Sequence, residues 1–385
     1  VDTAGKLLVS GSYDKTVRLW SLPDGKLRAV LRPPIGPEQE GEIYAVALTP
    51  DGRRVFAAGA TGGSWDGTFS IYLFDVATGA LAGRLPGLPS PVNDLTVSPG
   101  GTLFAAALAR GGVRAWNAQT GKQLFEDAAY AGPVRRVVFD GQGRLYSAAA
   151  DGKIRIYQPN GQKMLEREPE PGLRPWGLDL SPDGSLLAVA YENADRQGRL
   201  RVDVLSARTL AMVFTPDTTG LSGEGLLAVA WAADGKGGVQ LLAGGYARGP
   251  NGYVIRRWDD FGLGPATDLG ASHDTILDLR ALPGGGAVFA TEDPGWGRIA
   301  PDGTIAARPT PPMADLRPTR AQGLAVSASG TQIEFVTRDA RLHFDAAAGT
   351  LSAVSTADPT LAAARVPAGL TAWQDSSAPR LNGAP

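Results

Sequence analysis

Residues 8–20 read Leu8-Val9-Ser10-Gly11-Ser12-Tyr13-Asp14-Lys15-Thr16-Val17-Arg18-Leu19-Trp20. An apolar run leads into a polar turn at Asp14, and Thr16 to Trp20 then alternates apolar and polar residues as a half-buried strand requires. The alternation returns in Ser70-Ile71-Tyr72-Leu73-Phe74 and Lys153-Ile154-Arg155-Ile156-Tyr157, while no helical periodicity reaches comparable length. The reading is all-β.

Working outward, one unit recurs: an apolar strand, a turn ending in Gly, a small-residue strand, a polar turn, an alternating strand and a second Gly turn. The first turn is anchored at Gly5, Gly52, Gly101, Gly143, Gly184, Gly235, Gly285 and Gly330, at intervals of roughly 41 to 51 residues, a period typical of propeller blades. The second recurs in Pro23-Asp24-Gly25, Thr78-Gly79, Thr120-Gly121, Pro159-Asn160-Gly161 and Pro301-Asp302-Gly303. Glycine suits such turns because they need a residue at φ > 0, and Asp or Asn before it can bond the local backbone.

On these residues the chain resembles the WD-repeat family. Leu8 to Trp20 is similar to the second half of a WD repeat, with Asp14 in the tight turn and Trp20 ending the third strand; Ala148 to Tyr157, Leu108 to Trp116 and Gly244 to Trp258 are weaker copies. The resemblance covers about residues 1–357 and implies a β-propeller, most simply seven blades of four antiparallel strands with an extra partial repeat. The histidine that opens each repeat in that family is missing from almost every unit, which puts the usual His-Ser-Asp-Trp hydrogen-bond set in doubt. Unit one lacks its innermost strand and unit eight offers a spare one at Gly323 to Ser327, so a ring closed by that strand is expected. The alternative is that unit eight begins a second propeller. Residues 1–357 are assigned to the propeller and 358–385 to a linker toward a missing C-terminal part.

Ser21 to Gly25, Val55 to Asp75 and Trp373 to Pro385 also resemble the WD-repeat portion of bacterial proteins that carry a caspase-like peptidase domain. That resemblance implies a sensing or recruiting arm of a larger protein, with the protease cysteine and histidine outside this chain.

Composition narrows the chemistry. Of 385 residues, 43% are apolar and 20% charged, enough for a buried core, and the 51 glycines and 29 prolines are spaced as turn residues. A formal charge of −2 without any Lys/Arg-rich run lacks the footprint that nucleic-acid binding needs. No apolar stretch approaches the roughly 20 residues of a membrane span. The absence of cysteine excludes disulfides, thiolate metal sites and a cysteine nucleophile, and suits cytoplasm and periplasm equally.

Residues with chemical potential mostly have structural readings. Asp14, Asp66 and Asp151 fit turn-stiffening carboxylates, and Trp20, Trp116 and Trp258 fit packing between sheets. His273 and His343 lack metal-site spacing. Asp183, Asp234 and Asp302 lack a calcium-loop ligand run. No catalytic, cofactor or metal residue is assigned, and no cofactor is expected.

Loops on a rigid scaffold are where binding concentrates. By register with the turn glycines, Tyr44, Asn93, Arg135, Trp176, Leu227, Leu277 and Gln322 start the innermost strands. Three long second-to-third strand loops, residues 60–68, 192–199 and 246–253, are expected on that same, narrower face. Tyr44, Trp65, Asn93, Arg135, Trp176 and Gln322 are therefore the candidate partner-binding residues, rich in hot-spot types. The expected function is a non-catalytic scaffold that binds a protein or peptide. The alternative is a hydrolase or lactonase with its site in the central channel, but the innermost strands carry acids only at Asp94, Asp179 and Asp278, read as unmatched registers.

Overall fold

The computed structural model describes residues 1–192, 200–249, 252–272, 274–292 and 295–307, and in the remainder 324–327, 329, 331–336, 341–345, 348, 350–354 and 362–363. The chain divides into two compact units, Val1–Pro309 and Thr310–Pro385.

The first unit is a ring of seven antiparallel sheets. Blade one has three strands, Leu7–Ser12, Thr16–Ser21 and Leu27–Leu31. Each later blade adds an innermost strand: Glu42–Leu48, Val92–Val97, Val134–Phe139, Pro175–Leu180, Leu226–Ala233 and Ile276–Ala281 for blades two to seven. Sheet faces pack on one another around the ring. Phe56 of blade two stacks on Phe104 of blade three at 4.3 Å, and Phe104 on Trp116 at 4.8 Å. Blade seven meets blade one through Leu282, Val288 and Trp296 against Leu8 and Leu22, with the Trp20 and Trp296 rings edge to face at 5.8 Å.

The turns are built as the glycine spacing predicts. Gly5, Gly52, Gly101, Gly143, Gly184, Gly235 and Gly285 all lie at φ between +63° and +90°, where a side chain would be strained. In most of them the glycine amide closes the turn on the carbonyl three residues back, as in Gly52 to Thr49 and Gly184 to Ser181, both 2.8 Å. Gly330 lies outside the described residues. Asp14 and Asp151 hold their turns, Asp14 accepting the Thr16 amide at 3.0 Å and Asp151 the Lys153 amide at 3.1 Å, whereas Asp66 ends a helical turn and pairs with the Arg84 side chain. Blade four shows what replaces the missing histidine. The Tyr130 hydroxyl, ahead of the innermost strand, bridges Ser147 at 2.7 Å and Tyr157 at 2.8 Å, and Tyr157 donates to Asp127 at 2.9 Å.

The second unit forms one five-stranded sheet in the order Thr350–Val354, Arg341–Asp345, Gln332–Val336, Leu324–Val326 and Ala362–Ala363. The expected gift of Gly323 to Ser327 to blade one is not the pairing found. Leu324–Val326 is hydrogen-bonded on both edges within its own sheet, so its ladder groups are already satisfied. Two residues of the segment assigned as linker, Ala362–Ala363, belong to this sheet, and the rest of 358–385 lies outside the described residues.

The innermost strands share a feature that sequence patterning does not display. In all six, the register against the second strand skips one residue: Tyr44, Asn93, Arg135, Trp176, Leu227 and Leu277 are the extra residues of β-bulges. Counting from the bulge corrects the reading of the channel acids. Asp94, Arg136 and Asp278 each follow their bulge directly, so they are matched, and Asp179 and Arg280 match each other two residues further on. Arg136 lies 3.5 Å from Asp94 on the adjacent blade and donates to Asp278, on blade seven, at 3.0 Å. Arg280 joins Asp278 at 3.1 Å and Asp94 at 3.8 Å. Asp94 also accepts the Val137 amide and Asp179 the Trp231 amide, each on the next blade's innermost strand.

Breaking a buried pair from one side strands the other charge. Arg136→Met should therefore lower unfolding stability by about 3 kcal/mol in guanidinium titration, and pairing it with Asp278→Asn should recover part of that loss; additive losses would contradict the trans-channel contact. Burial raises the Asp179 carboxyl to about 6, against the pull of the Trp231 amide and Arg280. The folded state then holds a proton that the unfolded chain releases, so this residue's contribution to stability falls as pH rises from about 4 to 6. Asp179→Asn keeps the amide acceptor and removes that cost, so its stability relative to wild type should grow across this window by about 1–3 kcal/mol. A pH-independent difference between the two proteins would refute the assignment.

Candidate functional site

The six bulges define one end of the ring. In blade two Glu42 pairs with Ala60, so the start of the innermost strand lies beside the end of the second strand, from which the second-to-third strand loop departs. Bulge residues and these loops thus share an end of every blade that has both.

The candidate residues fall into three groups there. Arg135 and Trp176 meet directly, the guanidinium lying 4.1 Å from the indole centroid with its Nη2 3.9 Å from Glu192 Oε1. Burial pulls the Arg135 pKa down while Glu192 opposes that shift. Tyr44 donates to Glu42 Oε2 at 2.9 Å and takes the Tyr13 ring edge to face at 5.1 Å; burial and then Glu42 push its phenol pKa up. Trp65 sits in a four-residue helical turn, Gly63–Asp66, half exposed and without a ring contact to the others among the described residues. Its loop is fastened from beneath by buried Glu40, which accepts the Gly62 and Ser64 amides.

Asn93 is spent on structure, donating from Nδ2 to the Val134 carbonyl of the next blade at 2.9 Å. Leu227 is buried and Leu277 exposed. Gln322, His273, residues 193–199 and residues 250–251 lie outside the described residues, while Arg248 and Gly249 pair with Tyr253 and Gly252 at the ends of the blade-six loop.

A second ring escaped the sequence reading. The residue that follows the second strand is Tyr13, Thr61, Ala109, Ala150, Glu192, Tyr246 and Glu292 in blades one to seven. In five blades its amide donates to a carbonyl just ahead of the innermost strand: Ala109 to Pro91, Ala150 to Pro133, Glu192 to Arg174, Tyr246 to Gly225 and Glu292 to Thr275, at 2.8–3.0 Å. This position was legible as the first residue after each small-residue strand, but attention to loop length alone passed over it.

Chemically, this end offers aromatic faces, carboxylates and stacked guanidiniums, Arg135 on Trp176 and, in the loop of blade six, Arg248 on Tyr253 at 4.7 Å. The channel acids are already engaged with Arg136, Arg280 or backbone amides. Among the described residues no group of three or more His, Asp or Glu is placed to hold a metal, and no helix is long and apolar enough to cross a membrane.

Comparison with known proteins gives a consistent fold. The family model for the WD domain, G-beta repeat, matches residues 1–21 and 29–72. The chain is 28% identical over 166 residues to WD repeat-containing protein SL1-17 of Schistosoma mansoni, covering 43% of this chain and 51% of that protein. It is 27% identical over 165 residues to small ribosomal subunit protein RACK1y of Oryza sativa subsp. japonica, covering 40% and 44%. The chain therefore spans about half the length of these curated relatives. Among solved structures, the WD40 β-propeller domain of Doa1 superposes with a TM-score of 0.58 at 15% identity, covering 77% of this chain and 90% of that one. The Myceliophteria thermophila Cps50 (Swd1) β-propeller domain gives 0.56 at 17%, covering 78% and 90%. Repeat spacing, seven-sheet ring and these matches agree on the fold: residues 1–309 form a seven-bladed β-propeller like those of WD40 proteins, and the WD-domain match itself spans residues 1–21 and 29–72.

Proposed function

We propose that this propeller is a non-catalytic interaction module whose partner, a protein or peptide, docks on the end that carries the innermost-strand bulges. The observation that supports it is the sixfold recurrence of the bulge. A bulge re-aims the side chain of its extra residue, here on a frame braced by charges across the channel, so Tyr44, Arg135, Trp176 and exposed Leu277 are offered at little ordering cost, while Leu227 is buried. Tyr44, Trp65, Arg135 and Trp176 supply the residue types that dominate binding energy, while Asn93 acts chiefly through its bond to Val134. The end in question corresponds to the narrower face of the ring.

Channel catalysis is the weaker reading, because acids neutralised by arginine make poor metal ligands or general bases. The finer reading, a recruiting arm of a bacterial caspase-like protein, rests on the quoted segments alone; the relatives compared are eukaryotic.

Photo-crosslinkers placed singly at Tyr44, Trp65 and Trp176, and as controls at Asp24 and Thr78 in the turns at the other end of the blades, test the docking end. Crosslinks to one polypeptide should form from the first three positions only, and Trp176→Ala should weaken its capture at least tenfold, about 1.4 kcal/mol. Capture dominated by the control positions would reverse the assignment of the face.

A further inference from the structure

The two rings at this end are unequal around the circle. On blades five, six, seven and one, the position after the second strand reads Glu192, Tyr246, Glu292, Tyr13, an alternation of carboxylate and phenol. Tyr44 continues it on blade two, edge to face with Tyr13 and hydrogen-bonded to Glu42. On blades three and four the same position is Ala109 and Ala150.

The carboxylates lie close enough to the rings to act on them. Glu42 and Glu292 both raise the Tyr13 phenol, though burial is the larger cause, and Glu292, Glu192 and Glu224 do the same to Tyr246. Glu292 thus stands between two tyrosines. Tyr13 is 71% exposed, unusual for a large aromatic side chain. Glu42 has no guanidinium or ammonium partner among the described residues, whereas Glu192 already faces Arg135 at 3.9 Å. Exposed ring faces flanked by carboxylates attract cations twice, through the ring quadrupole and through charge. Arg135 shows the same chemistry satisfied internally, stacked on Trp176 and paired with Glu192.

We propose that the arc Tyr246–Glu292–Tyr13–Tyr44–Glu42 binds a peptide segment bearing arginine or lysine, a cationic side chain seated against the exposed ring of Tyr13 beside Glu42. This rests on the reading of that end as the docking face and names the chemistry of the partner. Charge complementarity selects a basic segment over an acidic one.

The probe is a fluorescein-labelled Gly/Ser dodecapeptide with three arginines, set against its lysine, citrulline and glutamate counterparts, with binding to the full chain read by fluorescence anisotropy. The arginine and lysine peptides should bind and weaken at least fivefold from 50 to 300 mM salt, while the citrulline and glutamate peptides stay at least tenfold weaker. Tyr13→Ala and Glu42→Gln should each cost at least threefold, and Tyr13→Phe, which keeps the ring, should cost little. Tyr13 is exposed, so its replacement leaves the fold intact, as an unchanged melting temperature would verify. Equal binding of the citrulline peptide, or indifference to both Tyr13→Ala and Glu42→Gln, overturns the proposal. That outcome would leave the docking end itself standing on the crosslinking map.

Discussion

Sheets set around an axis are wedges, and each must be thin near the axis and thick at the rim. The inner strands meet that constraint with small side chains that are fully buried: Ala57 and Ala58, Ala105 to Ala107, Ala148 and Ala149, Ala188 and Ala190, Ala228 and Ala230. The third strands carry the bulk, with Phe74, Trp116, Tyr157 and Trp258 almost entirely covered. Close packing of this kind tolerates little change in volume, so the small inner residues and the bulky third-strand residues of blades two, three, four and six constrain how neighbouring sheets sit. Everything at the docking end inherits its position from that packing.

Near the axis there is no room for bulk and no second sheet to bury polar groups against, and the chain answers with charge. Arg136 reaches across the channel to Asp278 and sideways to Asp94, while Asp94 and Asp179 each bind the backbone of the neighbouring innermost strand. Such contacts join blades that are far apart in sequence, Arg136 and Asp278 being 142 residues apart. They lock the relative rotation of blades that apolar packing alone would leave free to slide.

The local part of this architecture was legible in the sequence, and the parts counted across strands were not. A turn at φ > 0 announces itself by glycine, so the seven described turns could be placed from Gly5 to Gly285. The starts of the innermost strands followed from those turns, and Tyr44, Asn93, Arg135 and Trp176 fall at equivalent positions. A bulge adds one residue to one strand only and leaves no compositional mark. Asp94 and Asp278 therefore looked out of step with their neighbours, and their common engagement with Arg136 was invisible. Closure by Leu324–Val326 failed for a different reason: an apolar triplet of the right length says nothing about which edge it will satisfy, and here both of its edges are taken within its own sheet.

The same distinction separates catalysis from recognition in this molecule. A channel acid can act as a base or a metal ligand only with a free lone pair and a charge not already balanced, and the trans-channel arginines remove both conditions at Asp94 and Asp278. Those residues hold a shape. One step outward, the bulges and the second-strand ends carry side chains off the frame: a stacked guanidinium at Arg135 on one side, and on the other tyrosines beside carboxylates. A scaffold that consumes its central charges in holding itself rigid and leaves aromatic and acidic groups at the rim favours the proposed recognition of another chain over channel chemistry. The asymmetry of that rim, alanine on blades three and four and alternating carboxylate and phenol on blades five, six, seven and one, gives the reading a direction.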